Sequence, residues 1–433
     1  MNITEAYADI NRRNQLGSVW GLERIRELLN RLGQPQNRCR VVHIAGTNGK
    51  GSILACMDAV LQDAGYRVGK YISPTIFCYL ERFQINGTYM EEAVFAQYYT
   101  RILSVVRDME EEGKGQVTAF ELETALAFLY FSECQVDILL LETGMGGRLD
   151  ATNVVERPLC TILASISLDH MGVLGDTISA IAYEKTGILR DEVPCVVYPW
   201  NQEAMPVIEE QCELHKINPI IPDINALTVV QENLEYEIFD YKNVMYKLSL
   251  LGKHQVWNGI TAIEALDILR LQGHIDFENV NIQNGFAKVL WQGRFEILEK
   301  NPYIIRDGAH NMDGARRLYE QVTKHFTNRR ILYIIGVLAD KEHKAMLSLL
   351  APLADKIYVL TVPDTERALP GPELAKEVRD FCDDVTLAES PEQALWLARQ
   401  EAGEEDVILA FGSLYYIGRI GEQNGANRRN YES

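Results

Sequence analysis

The chain has 433 residues, 47% hydrophobic and 24% charged, a composition for a globular protein with room for two buried cores. Its 61 acidic and 42 basic side chains give a net charge of −19, which excludes a general nucleic-acid-binding or anionic-membrane surface. Anionic substrates would have to be met by local basic groups and metal ions inside a cleft.

The opening residues, Met1 to Tyr7, form neither a basic n-region nor an apolar h-region, and no long uncharged apolar run follows, so a cytoplasmic protein is expected. Eight cysteines lack C-x-x-C spacing; several, such as Cys134 and Cys160, sit in apolar runs, and they read as reduced residues rather than zinc ligands or a disulfide framework. Apolar runs at 41–45, 67–72, 136–142, 159–166 and 194–198 read as strands, alternating with helical patterns at 52–64, 91–110, 120–133, 177–190 and 202–216. This predicts an α/β fold with a mostly parallel sheet and helices on both faces. Residues 226–251 alternate in the manner of antiparallel strands and predict a small β-appendage. From Arg294 onward strands at 303–306, 331–337, 356–361 and 406–411 alternate with helices at 313–325, 343–352, 372–380 and 391–401, a smaller Rossmann-like C-terminal domain. The expected division is 1–293 and 294–433.

Between the first strand and first long helix lies Gly46-Thr47-Asn48-Gly49-Lys50-Gly51-Ser52. A glycine-rich turn opening a helix presents backbone N–H groups to phosphates, and a lysine there adds a point charge at the β/γ oxygens. The spelling departs from G-x-x-x-x-G-K-[ST]: Ile44 occupies the first glycine position and Gly51 separates Lys50 from Ser52. Glu142 ends an apolar strand before Thr143-Gly144-Met145-Gly146-Gly147-Arg148. Such an acid either faces water or holds Mg²⁺, and a phosphate loop on the same sheet favours the metal. His170 closes the next strand, where the site of an open sheet belongs, although a lone histidine is more often structural. Lys185 lies on the following helix, and its local pattern does not separate it from a solvated charge. Asp307-Gly308-Ala309-His310-Asn311 opens a later helix; Asp and Asn cap helices well, yet the turn is denser in site-competent groups than capping requires.

These segments together resemble the folylpolyglutamate/dihydrofolate synthase family of the Mur-ligase superfamily. The match runs in order through Gly21 to Arg24, the phosphate loop, Ser73-Pro74, Glu81-Arg82, Phe120-Glu121, Glu142 to Asn153, Leu168-Asp169-His170, Glu184-Lys185, His254-Gln255, Asn258, Gly293-Arg294, Asp307 to Asn311 and Gly412-Ser413-Leu414. The resemblance implies an ATP-dependent ligase that joins L-glutamate to tetrahydrofolate, and to dihydropteroate in bifunctional members, through an acyl phosphate. It implies that Lys50 and its loop hold the ATP phosphates. Ser73, Glu142 and His170 would ligate Mg²⁺, with Lys185 as a carbamylated fourth ligand. Asn258, Arg294 and Asp307 would line the nucleotide site, His310 and Ser413 would lie near the incoming glutamate, and Asp150 and Ala151 would meet dihydropteroate. It also implies a monomer whose domains close during turnover.

Thr75 departs from a frequent histidine in the loop 73–88 expected to cover the pterin, where Phe77 and Tyr79 either stack on that ring or pack on the protein. Gln292 and Thr186 replace a frequent proline and alanine; none of the three removes an expected ligand. The competing readings are a Mur-type ligase for another carboxylate, a P-loop switch or transport NTPase, and a non-catalytic paralogue. The Lys50-Gly51-Ser52 spelling with Asp150-Ala151, the C-terminal motifs and the filled metal positions argue against them in turn.

Overall fold

The structure, a computed structural model, describes residues 1–15, 17, 19–276 and 280–421, so residues 422–433 of the expected second domain lie outside it. The chain opens with α1 (Ile3–Asn14) and α2 (Glu23–Arg31), then β1 (Val41–Ala45), α3 (Lys50–Asp63), β2 (Val68–Tyr71), β3 (Phe83–Ile85), β4 (Thr88–Tyr89), α4 (Glu92–Glu111), α5 (Ala119–Glu133), β5 (Ile138–Glu142) and β6 (Cys160–Leu163). After α6 (Met171–Leu174), α7 (Ile178–Thr186), β7 (Cys195–Val197) and α8 (Met205–Leu214) come β8 (Leu227–Glu232), β9 (Glu237–Tyr241) and β10 (Val244–Leu248), then α9 (Lys253–Leu271) and α10 (Ile282–Phe286).

The first sheet runs β4-β3-β2-β5-β1-β6-β7. Its five expected strands are parallel, and β1 and β5 are buried at every position, as a sheet covered on both faces demands. Register sets the site: Tyr71 pairs with Leu141, Ile44 with Glu142 and Ala45 with Leu163, so the chain leaves β2, β5, β1 and β6 at one edge. A hairpin not anticipated from the pattern, β3–β4, adds antiparallel to β2 and occupies part of the expected 73–88 loop. The strand expected over 159–166 stops at Leu163, because beyond it the backbone turns to the phosphate loop, where Thr47 N–H donates to the Ser165 carbonyl at 2.7 Å. The helix expected over 177–190 stops at Thr186; Gly187 then passes so close to Arg148 that a Cβ would sit 2.3 Å from the arginine Cβ. Strands β8–β10 form the antiparallel appendage.

The second sheet contains β11 (Glu296–Lys300), β12 (Tyr303–Arg306), β13 (Ile331–Ile335), β14 (Lys356–Val359), β15 (Val385–Leu387) and β16 (Val407–Phe411), in the order β11-β12-β16-β13-β14-β15. It is covered by α11 (Met312–Phe326), α12 (His343–Leu350), α13 (Gly371–Val378) and α14 (Pro391–Glu401), and α15 (Leu414–Ile417) follows β16. Only β11 is antiparallel, and cores lie on both faces of the sheet. Among the described residues no helix is long and apolar enough to cross a membrane.

Candidate active site

The carboxyl edges of the two sheets face one another across a cavity of about 760 Å³, and every residue expected to bind nucleotide, metal, glutamate or dihydropteroate lines it, the stacking candidates Phe77 and Tyr79 excepted. On the first sheet, β1 runs into the phosphate loop. Gly49 takes φ 86° to start α3, and a Cβ there would lie 2.6 Å from Asn258 Oδ1. Glycine therefore lets α9 press Asn258 against the loop; its Oδ1 is buried without a partner, while Nδ2 donates to Gln255 Oε1 at 3.0 Å. Lys50 Nζ donates to the Gly46 and Thr47 carbonyls at 3.0 and 3.2 Å and stands 3.6 Å from Glu142.

At the ends of β2 and β5, Ser73 N–H donates to Glu142 Oε2 at 3.4 Å, and Ser73 Oγ is buried without a partner. Burial pushes the Glu142 carboxyl up, against Lys50. Lys185 reaches in from α7 and donates to the Gly46 carbonyl at 2.8 Å. Its side chain is buried, and desolvation, helped by the Lys50 charge, brings its ammonium pKa down to about 7. His170 is exposed, at φ 51°, with its pKa brought down to about 4, chiefly by desolvation. Among the described residues no three His, Cys, Asp or Glu side chains cluster as a ready-made metal site. The oxygen donors present, a buried carboxylate and an unpartnered hydroxyl, suit a hard cation that draws its remaining ligands from phosphate or water.

Asp150 lies at the cleft floor as a turn-forming carboxylate. It accepts from Met145 N–H at 2.8 Å, Thr152 N–H at 3.0 Å and Thr152 Oγ at 2.5 Å, and burial raises its pKa. Ala151 follows it, and the Phe120 ring closes over Gly144, where a Cβ would meet it at 2.5 Å. Phe77 and Tyr79 do not line the cleft. Arg306 sits 4.7 Å from the Phe77 ring, while Tyr79 packs on Tyr7 and Phe95 and donates to Glu123, so both belong to the protein's own packing.

The second sheet presents four successive strand ends, β12, β16, β13 and β14. Asp307 closes the first turn, its carboxylate accepting from Phe295 N–H at 2.7 Å and Ala309 N–H at 2.8 Å. Arg294 passes over Gly308 so closely that a Cβ there would be 2.1 Å from its Nη1. His310 Nδ1–H donates to the Gly308 carbonyl at 2.8 Å, leaving Nε2 towards the cleft; burial, with Lys341 nearby, brings its pKa down to about 4. Ser413 Oγ caps α15 by accepting from Tyr415 N–H at 3.3 Å.

The two halves touch through Asn48, Asp169 and Asn311, which the sequence motifs contain, and through Asp313 and Lys341, which they do not. Asn48 of the phosphate loop donates to Asp313 at 2.9 Å and exchanges hydrogen bonds with Asn311 at 3.2 and 3.3 Å. Asp169 accepts from Lys341 Nζ at 2.5 Å and Asn311 Nδ2 at 3.2 Å, with His310 Nε2 at 3.8 Å. Burial acts to raise the Asp169 pKa, but Lys341 and His170 outweigh it and hold the carboxyl well below its usual range. Lys341 and Arg367 follow β13 and β14; the rule that open sheets bind at strand carboxyl ends is the one signal that could have found them.

Sequence comparison places the class: the Mur ligase middle domain matches residues 44–266 and the Mur ligase glutamate ligase domain residues 293–414. The chain is 35% identical over 429 residues to a Bacillus subtilis dihydrofolate synthase/folylpolyglutamate synthase, covering 96% of this chain and 98% of the relative. It is 31% identical over 413 residues to the Escherichia coli protein of the same name, covering 94% and 92%. The chain belongs to the dihydrofolate synthase/folylpolyglutamate synthase family of Mur ligases. Solved structures agree: the Thermotoga maritima folylpolyglutamate synthase aligns with TM-score 0.82 at 32% identity over 96% of each chain. Escherichia coli FolC in complex with DHPP and ADP aligns with TM-score 0.83 at 29% identity, again over 96% of each chain.

Proposed function

We propose that the protein is an ATP-dependent carbon–nitrogen ligase that adds L-glutamate to tetrahydrofolate and to dihydropteroate, working in the cytoplasm as a monomer. The observation that carries this is the meeting of Asn48 with Asn311 and Asp313, which seats the His310 turn directly over the phosphate loop. A carboxylate activated at the loop is thereby within reach of an amine brought by the second domain, residues 294 onward. The lining residues of the cleft come from both halves of the chain. The described cysteines are all free thiols, which suits a reducing compartment.

Amide formation in water needs an activated carbonyl. The γ-phosphoryl group of ATP passes to the pteroate or folyl carboxylate, ADP leaves, the glutamate α-amine attacks the acyl phosphate, and phosphate departs. Lys50, freed from its own loop carbonyls, and Arg294 stabilise charge on the transferring group. The Asn258 side chain and the Asp307 turn hold the nucleotide side of the cleft. Ser73, Glu142 and His170 would hold Mg²⁺, with Lys185 as a carbamate; when bound, the ion neutralises charge on the phosphate oxygens. The carbamate reading is supported by the buried, weakly basic Lys185 amine beside the phosphate loop. Asp150 and Ala151 shape the pterin end, with Phe120 as its aromatic wall. Closure of the two halves excludes water from the acyl phosphate. The test is Lys50→Ala, which should lower turnover by at least about 10²-fold; near-normal turnover would remove the mechanism.

The bifunctional reading is favoured over polyglutamylation alone by Asp150-Ala151 at the cleft floor and by the two bacterial relatives, which carry both names.

A further inference from the structure

An amino acid with a second carboxylate needs a cation at its side chain if glutamate is to be distinguished from glutamine. Lys50 and Arg294 are taken up at the phosphate end. Apart from Lys185 bonded to the phosphate loop, Arg13 held by Asp9 and Glu110, and Arg317 beside Asp313 and the Trp257 ring, three further cations line the cleft: Arg82, Lys341 and Arg367. Two of them are committed. The Arg82 guanidinium lies 4.3 Å from the Tyr79 ring and pairs with Glu123, whose side chain is only 4% exposed. Lys341 and Asp169 are 10% and 9% exposed. Taking either cation away would strand a buried carboxylate, which is strongly unfavourable.

Arg367 differs. It pairs with Asp340 at the rim, where the two side chains are 46% and 50% exposed. Ion pairs this wet contribute little, so the guanidinium can change partners at small cost. Its backbone is nevertheless fixed: the Arg367 carbonyl accepts from Ala339 N–H at 2.8 Å, and Ala368 bridges to Leu338. An anchored main chain with an exchangeable, planar, two-pronged head is suited to capturing a carboxylate.

We propose that Arg367 binds the side-chain carboxylate of the incoming L-glutamate, releasing Asp340 to water as it does so. This rests on the ligase reading above for the identity of the amino acid. The test is steady-state kinetics of the full chain with L-glutamate varied. Arg367→Gln raises the KM for glutamate roughly 10- to 100-fold, the loss of a charge-assisted pair of hydrogen bonds, and leaves kcat and the KM for ATP within about threefold. It also narrows the preference for L-glutamate over L-glutamine, a change that a loosened loop would not produce. Arg367→Lys keeps the charge and shows a smaller rise. Asp340→Asn removes the competing carboxylate and lowers the glutamate KM by about 1.5- to 5-fold. A glutamate KM and a glutamate/glutamine preference unchanged in both Arg367→Gln and Asp340→Asn would overturn the inference while leaving an active ligase. A wild-type chain silent with glutamate would instead overturn the ligase reading, and this inference with it.

Discussion

The Asp169–Lys341 pair is the most heavily buried charge contact between the two halves of the cleft. Lys341→Met removes the ammonium 2.5 Å from a carboxylate that is only 9% exposed. Stranding one partner of a buried pair costs about 3–5 kcal/mol, and the slight exposure of both ends favours the lower figure, about 3 kcal/mol. The molecule can escape that penalty by separating its halves and rehydrating Asp169, so the cost should fall on closure rather than on folding. Turnover should then drop roughly 10²-fold, while the melting temperature of the free protein moves by only a few degrees. Asp169→Asn should behave similarly, with Lys341 stranded in its place. In the double variant the losses should be less than additive by about 1–3 kcal/mol, since the second substitution removes a charge already unpaired. Glutamate-dependent ADP release in all four proteins, with small-angle scattering for compactness, makes the measurement. Additive single effects, or Lys341→Met turnover within threefold of wild type, would refute the clasp.

Lys185 should form a carbamate: with ¹³C-bicarbonate near neutral pH a carbamate carbon resonance should appear in the wild type and be missing from Lys185→Arg, and its absence from both would refute the assignment. His43, buried on β1 with Nε2 2.9 Å from Thr152 Oγ, has a folded pKa near 3 because burial penalises its charged form. The unfolded chain therefore binds the extra proton between pH 6.5 and about 3, and stability contributed by neutral His43 is lost as pH falls through that window, at about 1.4 kcal/mol per pH unit. Denaturant melts of His43→Gln should show a slope against pH shallower by nearly one proton; an identical slope would contradict this. Gly51→Ala should weaken ATP-analogue binding about tenfold, since its Cβ would fall 2.4 Å from Trp291 Cζ2 and force the indole or the start of α3 to shift. Isothermal titration with a non-hydrolysable analogue checks it, and unchanged affinity would show that the indole yields freely.

The alternation of apolar runs sufficed for both parallel sheets because interior strands such as β1 and β5 must be apolar on both faces. It did not reveal α9, which is buried on nearly all sides and so carries no amphipathic period, nor the short β3–β4 hairpin, whose outer strand is exposed at both positions. The phosphate loop, Glu142 and the Asp307–His310 turn were legible because each combines glycine with a charged or polar group at a strand end. Asp169, Lys341 and Arg367 were not legible as a set. They meet only across the two halves, and no spacing along the chain encodes a contact 172 residues apart. For Phe77 and Tyr79 the sequence left stacking on the pterin and packing on the protein both open, because an aromatic in a loop serves either, and only the contacts with Arg306, Tyr7 and Phe95 decide for packing.

The central claim is tested most directly by glutamate-dependent ADP release from the purified protein, run in parallel with dihydropteroate and with tetrahydrofolate. Turnover with both is the predicted result. Turnover with tetrahydrofolate alone would withdraw the dihydropteroate role from Asp150 and Ala151, and silence with both, in a protein that still binds ATP, would contradict the account.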